Sequence, residues 1–214
     1  MGRPTNPLLS RDAIAAAALD LTAEEGADAL TIRAIAARLG VRGPSLYNHV
    51  SSKDDLLDAM SALISRELDS SALESADWRA GLTAYARSYR RVFLRHHGIL
   101  PVIARRPVQT AEALSGYDAL ARALLRLGCK PAEAAELSAA LDYLVIGSVL
   151  ETYTAGFSRP PNAYRTDFPA LAETLGASAT TTPGGLPGLD ERGFERGLAL
   201  LLDGLELRLT RTSA

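Results

Sequence analysis

Apolar residues along this chain recur three and four positions apart in segment after segment, and nowhere do apolar and polar residues alternate as they would in a half-buried strand. That periodicity commits the chain to helices, so the expected fold is all-α. The residues between segments set where each helix begins and stops. Over residues 10–26, Ser10 can cap the orphan N–H groups of a first helix, Asp12 favours its positive end, Ile14, Ala17, Ala18 and Leu21 share a face, and Gly26 stops it. Thr31 caps a second helix carrying Ile32, Ile35, Ala36 and Leu39, and Gly40 closes it as a residue free to take φ > 0. After a tight turn, Pro44 suits the first position of a third helix, about two turns long, that carries Leu46 and Val50 inward and ends near Ser51. Ser52 and Asp55 resemble a capping box for a fourth, whose Leu56, Leu57, Met60, Leu63, Ile64 and Leu68 run on with helical spacing.

This fourth helix is long enough to bridge two domains, and the polar, small-residue stretch over 69–77 is the natural boundary. The expected organisation is therefore a small three-helix domain at 1–53, a connecting helix at 54–70, and a larger helical domain at 71–214. Within the latter, helices are expected over 78–97, 99–106, 110–127, 130–156 and 190–209. Residues 158–188 contain Pro160, Pro161, Pro169, Pro183 and Pro187 and a Thr-Thr-Thr-Pro-Gly-Gly run, so they read mostly as loop with one helical piece over 169–175. A loop of that length is usually functional or mobile. There is no internal repeat.

Composition narrows the class. Apolar residues at 47% and charged residues at 22% are those of a soluble globular protein. No apolar run approaches the ~20 residues that span a bilayer, and residues 1–10 lack the apolar core of a signal peptide, so a cytoplasmic protein without membrane contact is expected. The single cysteine, Cys129, cannot form an intramolecular disulfide; it is either structural or redox-sensing. No Cys/His spacing suggests zinc, and no metal or cofactor is assigned. The net charge of −2 means that any nucleic-acid surface must be local. Residues 1–53 hold six basic side chains (Arg3, Arg11, Arg33, Arg38, Arg42, Lys53) against five acidic ones (Asp12, Asp20, Glu24, Glu25, Asp28). With so slight an excess, non-specific affinity is modest, and a dimer that doubles the contacts is almost obligatory.

Residues 31–50 have the layout of a helix-turn-helix, which presents the start of its second helix to the major groove. Arg42, Ser45, Tyr47, Asn48 and His49 are polar residues on a helix whose apolar members, Leu46 and Val50, already account for its buried face. For a single residue such as Arg42, a solvated surface is the alternative. Arg33 has the fork that matches guanine O6 and N7, and Asn48 the amide that matches adenine N6 and N7. Lys53, at a helix start, suits a phosphate. Arg3 either reaches a minor groove or belongs to a solvated tail.

Residues 30–57, reading LTIRAIAARLGVRGPSLYNHVSSKDDLL, resemble the N-terminal domain of TetR-family transcriptional regulators, through the Leu-Gly-Val, Leu-Tyr-x-His-Val and following Lys elements. The helix before them resembles that family's first helix. The resemblance implies that Thr31, Tyr47 and Lys53 bind phosphates and that Arg33, Pro44, Ser45, Asn48 and His49 lie at or near the bases of double-stranded operator DNA. Gly43 departs from the pattern, because hydrogen stands where a side chain would read a base.

From residue 77, DWRAGLTAYARSYRRVFLRHHG and later ALDYLVIGSVLE resemble the C-terminal domain of the tetracycline-repressor subgroup. This implies a four-helix homodimer interface from the helices over 131–156 and 190–209. Independently, Leu137, Leu141, Leu144, Val145 and Leu150 on the first, and Phe194, Leu198, Leu201, Leu202, Leu205 and Leu209 on the second, form apolar surfaces that a two-fold mate would bury. The alternative is that both are core helices of a monomer. Tyr85, Tyr89, Phe93, Tyr117, Tyr143 and Tyr153 supply aromatic faces with polar tips, suited to an apolar effector pocket or to an ordinary core. With Val102 and Gly147 they make up the candidate ligand site. Val102 stands near the place of the subgroup's magnesium-linked histidine, so tetracycline itself is not expected.

No nucleophile elbow, phosphate loop or metal cluster is present, and adjacent His96 and His97 point ~100° apart on a helix, so an enzyme is not expected. The expected function is that of a transcriptional regulator, a repressor released from its operator by a small-molecule effector. The competing reading is a helical protein-interaction or scaffold module without ligand response.

Overall fold

The computed structural model describes residues 9–150 and 153–212, and among them there are ten α-helices and no strand. Arg3, all of Glu151 and Thr152, and the side chain of Tyr153 lie outside the described residues. The chain forms two compact units, one running to Ser138 and the other starting at Ala139.

The first unit opens with α1 (Arg11–Glu25), α2 (Ile32–Leu39), α3 (Gly43–Leu46) and α4 (Lys53–Arg66). Each starts where its local chemistry directs. Ser10 Oγ accepts from Ala13 N at 3.1 Å, Thr31 Oγ1 from Ala34 N at 3.2 Å and Ser52 Oγ from Asp55 N at 3.0 Å, satisfying donors that have no partner within the helix. Gly40 closes α2 with φ 65°, in the left-handed region that favours glycine. Two details differ from the sequence expectation. The capping box at α4 is displaced by one residue, since the Asp55 carboxylate accepts from Ser51 N at 2.8 Å and not from Ser52. The third helix is a single turn that begins at Gly43 with Arg42 as its cap, and the following residues continue it only as turns closed by His49 N to Leu46 O (2.9 Å) and Val50 N to Leu46 O (3.0 Å). Glycine before Pro44 lets the turn start one residue early. Packing of α1 on α4 and α2, and of α3 on α2, seals Ile14, Ala18, Ile35, Leu46, Val50, Leu56 and Met60 from solvent.

After α4, a 3₁₀ turn (Ser71–Glu74) lies on α5 (Trp78–Arg95). Gly81 permits that approach, because a Cβ there would stand 2.4 Å from Ala72 O. Then come α6 (Leu100–Ile103), α7 (Ala111–Arg126) and α8 (Pro131–Leu150). Asp77 caps α5 and Thr110 caps α7. Chain entering from α5 passes Gly98, whose position against Thr22 at the end of α1 is so close that a Cβ would meet Thr22 O at 2.0 Å. α1 is thus seated directly on the turn before α6, within the same unit.

The second unit holds the rest of α8, α9 (Pro169–Thr181) and α10 (Leu189–Thr212). Most of 158–188 reads as loop in the sequence, yet α9 extends six residues past the expected end at 175. The hydroxyls of Thr174, Thr180, Thr181 and Thr182 donate to carbonyls one turn back, which absorbs the polar run into the helix. Within this unit Gly197 of α10 lies against Leu144 of α8. The stripe Phe194, Leu198, Leu202 and Leu205 is buried inside the chain, so it is core and not free for a mate.

Candidate functional site

The turn Arg42–His49 is exposed on one side and sealed on the other. Arg42, Pro44, Tyr47, Asn48 and His49 are exposed, with Tyr47 at 57%, and Ser45 and Gly43 are half-buried, whereas Leu46 and Val50 show 0% and 1%. Burial of the two apolar members fixes the turn on α2, and the intervening residues must then face outward. Gly43 has no need to be glycine for packing: a Cβ there would make only ordinary contact with Ile32, at 3.7 Å.

Thr31 and Lys53 mark two further helix starts beside this turn in the sequence, both exposed. The Thr31 oxygen is occupied as a cap acceptor, which leaves its hydroxyl proton to donate outward. Arg33 is exposed on the first turn of α2.

Ion pairing separates two populations of cations. Arg38 is held by both oxygens of Glu24 (2.8 and 2.6 Å), Arg66 by Asp12 (2.8 and 3.0 Å) and Arg11 by Asp55 (2.7 Å). The Arg66 guanidinium beside Asp12 keeps that carboxyl below the usual carboxylate range. A hydrogen bond from Ser51 N, assisted by Arg11, does the same for Asp55. Arg33, Arg42 and Lys53 enter no ion pair among the described residues. Three cations on the candidate DNA face are thus available without breaking an internal contact, despite a net charge near zero for the domain.

The candidate effector residues fall into both units. In the first, Tyr85, Tyr89 and Phe93 are buried at i, i+4 and i+8 of α5, with ring centroids 6.0 Å apart for the first pair and 4.7 Å, edge to face, for the second. Gly116 on α7 lies 4.0 Å, measured from an added Cβ, from the Tyr85 hydroxyl. Val102 is half-buried on α6, and Tyr117 on α7 is 39% exposed. In the second unit Tyr143 is 74% exposed and Gly147 has open space around it. No cluster of three metal-ligating side chains occurs among the described residues.

Sequence reasoning did not find two contacts that tie α4 to the segments around α6. Glu67, just past α4, receives Arg95 and the His96 ring, the latter at 2.9 Å. Arg106 donates to Asp54, and to Asp58 at 2.9 Å. These partners lie 28 to 52 positions apart, beyond any local spacing rule.

A capped helix, a glycine turn and a short exposed cationic turn, carried ahead of a larger helical region, define a DNA-binding transcriptional regulator of the helix-turn-helix class. Comparison with known proteins places it within that class. The family model described as "Bacterial regulatory proteins, tetR family" matches residues 14–60, and "Tetracyclin repressor-like, C-terminal domain" matches residues 71–209. The class C tetracycline repressor of Escherichia coli is 34% identical, covering 94% of this chain and 93% of its own. Apo ActR from Streptomyces coelicolor superposes with a TM-score of 0.78 at 26% identity, over 95% of this chain and 98% of its own. ActR in complex with actinorhodin does so at 0.75 and 27%, over 93% and 96%. The chain belongs to the TetR family, and it is a ligand-responsive, DNA-binding repressor of the tetracycline-repressor-like branch. No described helix is long and apolar enough to cross a membrane.

Proposed function

We propose that two copies of this chain read operator DNA through Thr31, Arg33, Arg42, Gly43, Pro44, Ser45, Tyr47, Asn48, His49 and Lys53, and release it when an aromatic small molecule binds among α5 to α8. In this reading residues 1–53 are the reading head, 54–70 the connecting helix and 71–214 the effector and dimer domain. The observation that carries it is the outward, unpaired set Arg33, Arg42 and Lys53 around a turn anchored by Leu46 and Val50. Phosphates are bound by Thr31, Tyr47 and Lys53, and Arg33, Asn48 and His49 reach base edges.

Dimerisation is supported by apolar side chains left outside in the second unit. Tyr143 and Leu150 on α8, and Leu200 and Leu207 on α10, are 74%, 46%, 63% and 56% exposed. Each pair is seven residues apart and so shares a helix face. Burying them against a second copy supplies the two-fold arrangement that sets the heads ~34–36 Å apart, the spacing of successive major grooves. The effector acts by preferring a different spacing, since equal affinity for both states shifts nothing. The Tyr85–Tyr89–Phe93 ladder favours an aromatic molecule, and the structurally similar ActR was solved in complex with a small molecule, actinorhodin. Val102 offers no metal ligand, which argues against tetracycline.

The test is to sequence genomic fragments retained by the purified protein and then measure variants on the recovered site. Tyr47→Ala and Lys53→Ala weaken binding to every sequence, whereas Asn48→Ala relaxes preference at one base. Uniform loss from Asn48→Ala removes its assignment as a base reader. A stable monomer that retains no particular fragment removes the proposal.

A further inference from the structure

Charge at the start of α4 is unfavourable to the function just described. Lys53 is followed by Asp54, Asp55 and Asp58, and these three carboxylates turn the slight positive excess of residues 1–53 into a negative one. Asp55 is neutralised within the small domain, by Arg11 and by Ser51 N. Asp54 and Asp58 are not. Four residues apart, they lie on one face of α4, and among the described residues the one cation that reaches either is Arg106, 48 and 52 positions downstream. Its guanidinium bridges both carboxylates, at 2.9 Å to Asp58, and its side chain is 21% exposed beside Asp54 at 77%. Arg106 lies just past α6 in the chain, and so depends on where that segment sits.

We propose that Arg106 is an electrostatic shield for the operator face. Resting on the reading of the chain as an operator-binding repressor, the inference is that Arg106 offsets the carboxylates next to the phosphate-binding Lys53. Any effector that draws the α6 segment away uncovers them. Release then has a charge component, repulsion between Asp54/Asp58 and the phosphates, in addition to any change of head spacing. The size is set by distance. A bare charge ~10 Å from a phosphate in water changes affinity about twofold before screening, and each operator meets two heads and several phosphates. The expected loss is roughly three- to tenfold at about 0.1 M salt, shrinking as salt shortens the screening length.

Arg106→Gln reproduces withdrawal of the charge without an effector, and the measurement is affinity for the recovered operator across a salt series. If the wild-type chain retains no operator, the repressor reading fails whatever Arg106 does. If it binds, Arg106→Gln is expected to bind three- to tenfold more weakly at low salt, with the deficit closing at about 0.5 M, and Arg106→Lys to bind nearly as the wild type. Adding Asp54→Asn and Asp58→Asn to Arg106→Gln restores affinity to the wild-type level or above. A mere mechanical clamp predicts the opposite, because the triple variant has no pair left to hold the segment; persistent weakness there overturns the proposal. So does wild-type binding by Arg106→Gln, or weakened binding by Asp54→Asn/Asp58→Asn with Arg106 intact.

Discussion

The small domain and the α9–α10 region are both helical, but they are held in shape by different kinds of contact. In the small domain each of α1, α2 and α4 is started by a hydroxyl immediately before it, Ser10, Thr31 or Ser52, and the turn after α2 is set by a glycine at positive φ. In the second region α9 has Phe168 at its cap position with no side-chain bond, and the turn after it is organised from seven to fourteen residues away. There Arg192 of α10 donates to Pro183 O, to Gly185 O at 2.8 Å and to Ser178 Oγ at 2.9 Å. The starts of the head's helices are thus set locally, while Arg11–Asp55 and Arg66–Asp12 join α1 to α4 across 44 and 54 positions. The turn after α9 instead takes its shape from a single side chain of the next helix.

The sharpest way to break this contrast is at Gly98, where α1 meets the α5–α6 turn. Gly98→Ala drives a methyl into the Thr22 carbonyl, which is backbone and cannot step aside. The expected cost is about 3 kcal/mol, a fall in Tm of roughly 5–10 °C, together with loss of operator affinity as the head is displaced. Unchanged melting and unchanged binding would mean that the head is not seated on that turn. Next in size is Arg192→Ala, which leaves the 182–188 turn without its organiser. A loss of about 2 kcal/mol is expected, with new protease cleavage between 182 and 189. Operator affinity should hold. Cleavage spreading into residues 11–66 would show that the two regions are not independently held.

The same contrast decides what could be read from the sequence. Ser10, Thr31, Gly40 and Ser52 mark the small domain's helices because cap and stop chemistry acts over three or four residues, within reach of inspection. Gly43 and Pro44 say less: a proline marks where a helix starts but not where it stops, so about two turns to near Ser51 are expected, whereas α3 is a single turn and Val50 closes back on Leu46. Residues 176–182 read as loop because Thr and Gly are poor helix formers on average, and the back-bonding of their hydroxyls appears only once the helix exists. The stripe on α10 shows another limit. Periodicity identifies Leu198, Leu202 and Leu205 as one face, but cannot tell whether that face meets its own chain or a second copy; burial assigns it to the former. Gly98 and Arg106 carried no local signal, since their partners Thr22 and Asp54 are brought near only by the fold.

Two smaller effects test how the head's helices are started and how they are joined. Ser52→Ala removes the cap of α4 and leaves one donor unmatched, which costs about 1 kcal/mol. Ser52→Asp, which keeps an acceptor there, restores most of it. Measured by thermal melting, equal losses from both would deny the cap its role.

The smallest effect is the response of the head to acid. Asp12 and Asp55 are held below the ordinary carboxylate range, Asp12 first by its hydrogen bonds with Arg66 and Asp55 first by Ser51 N. A depressed folded value means that the unfolded chain takes up protons first as pH falls. The stabilisation is therefore fully present above about pH 5, begins to fade as pH passes the unfolded carboxylate value near 4, and is gone only below the folded values. Both pairs face solvent, so the slope is shallow and salt flattens it. The expected melting curve for the α1–α4 signals is flat from pH 7 to 5 and declines below 4, and Asp12→Asn with Asp55→Asn removes part of that decline. A head that loses stability between pH 7 and 5 in the same way with and without these two carboxylates would place its acid sensitivity elsewhere, and α1 and α4 would then be joined by packing alone.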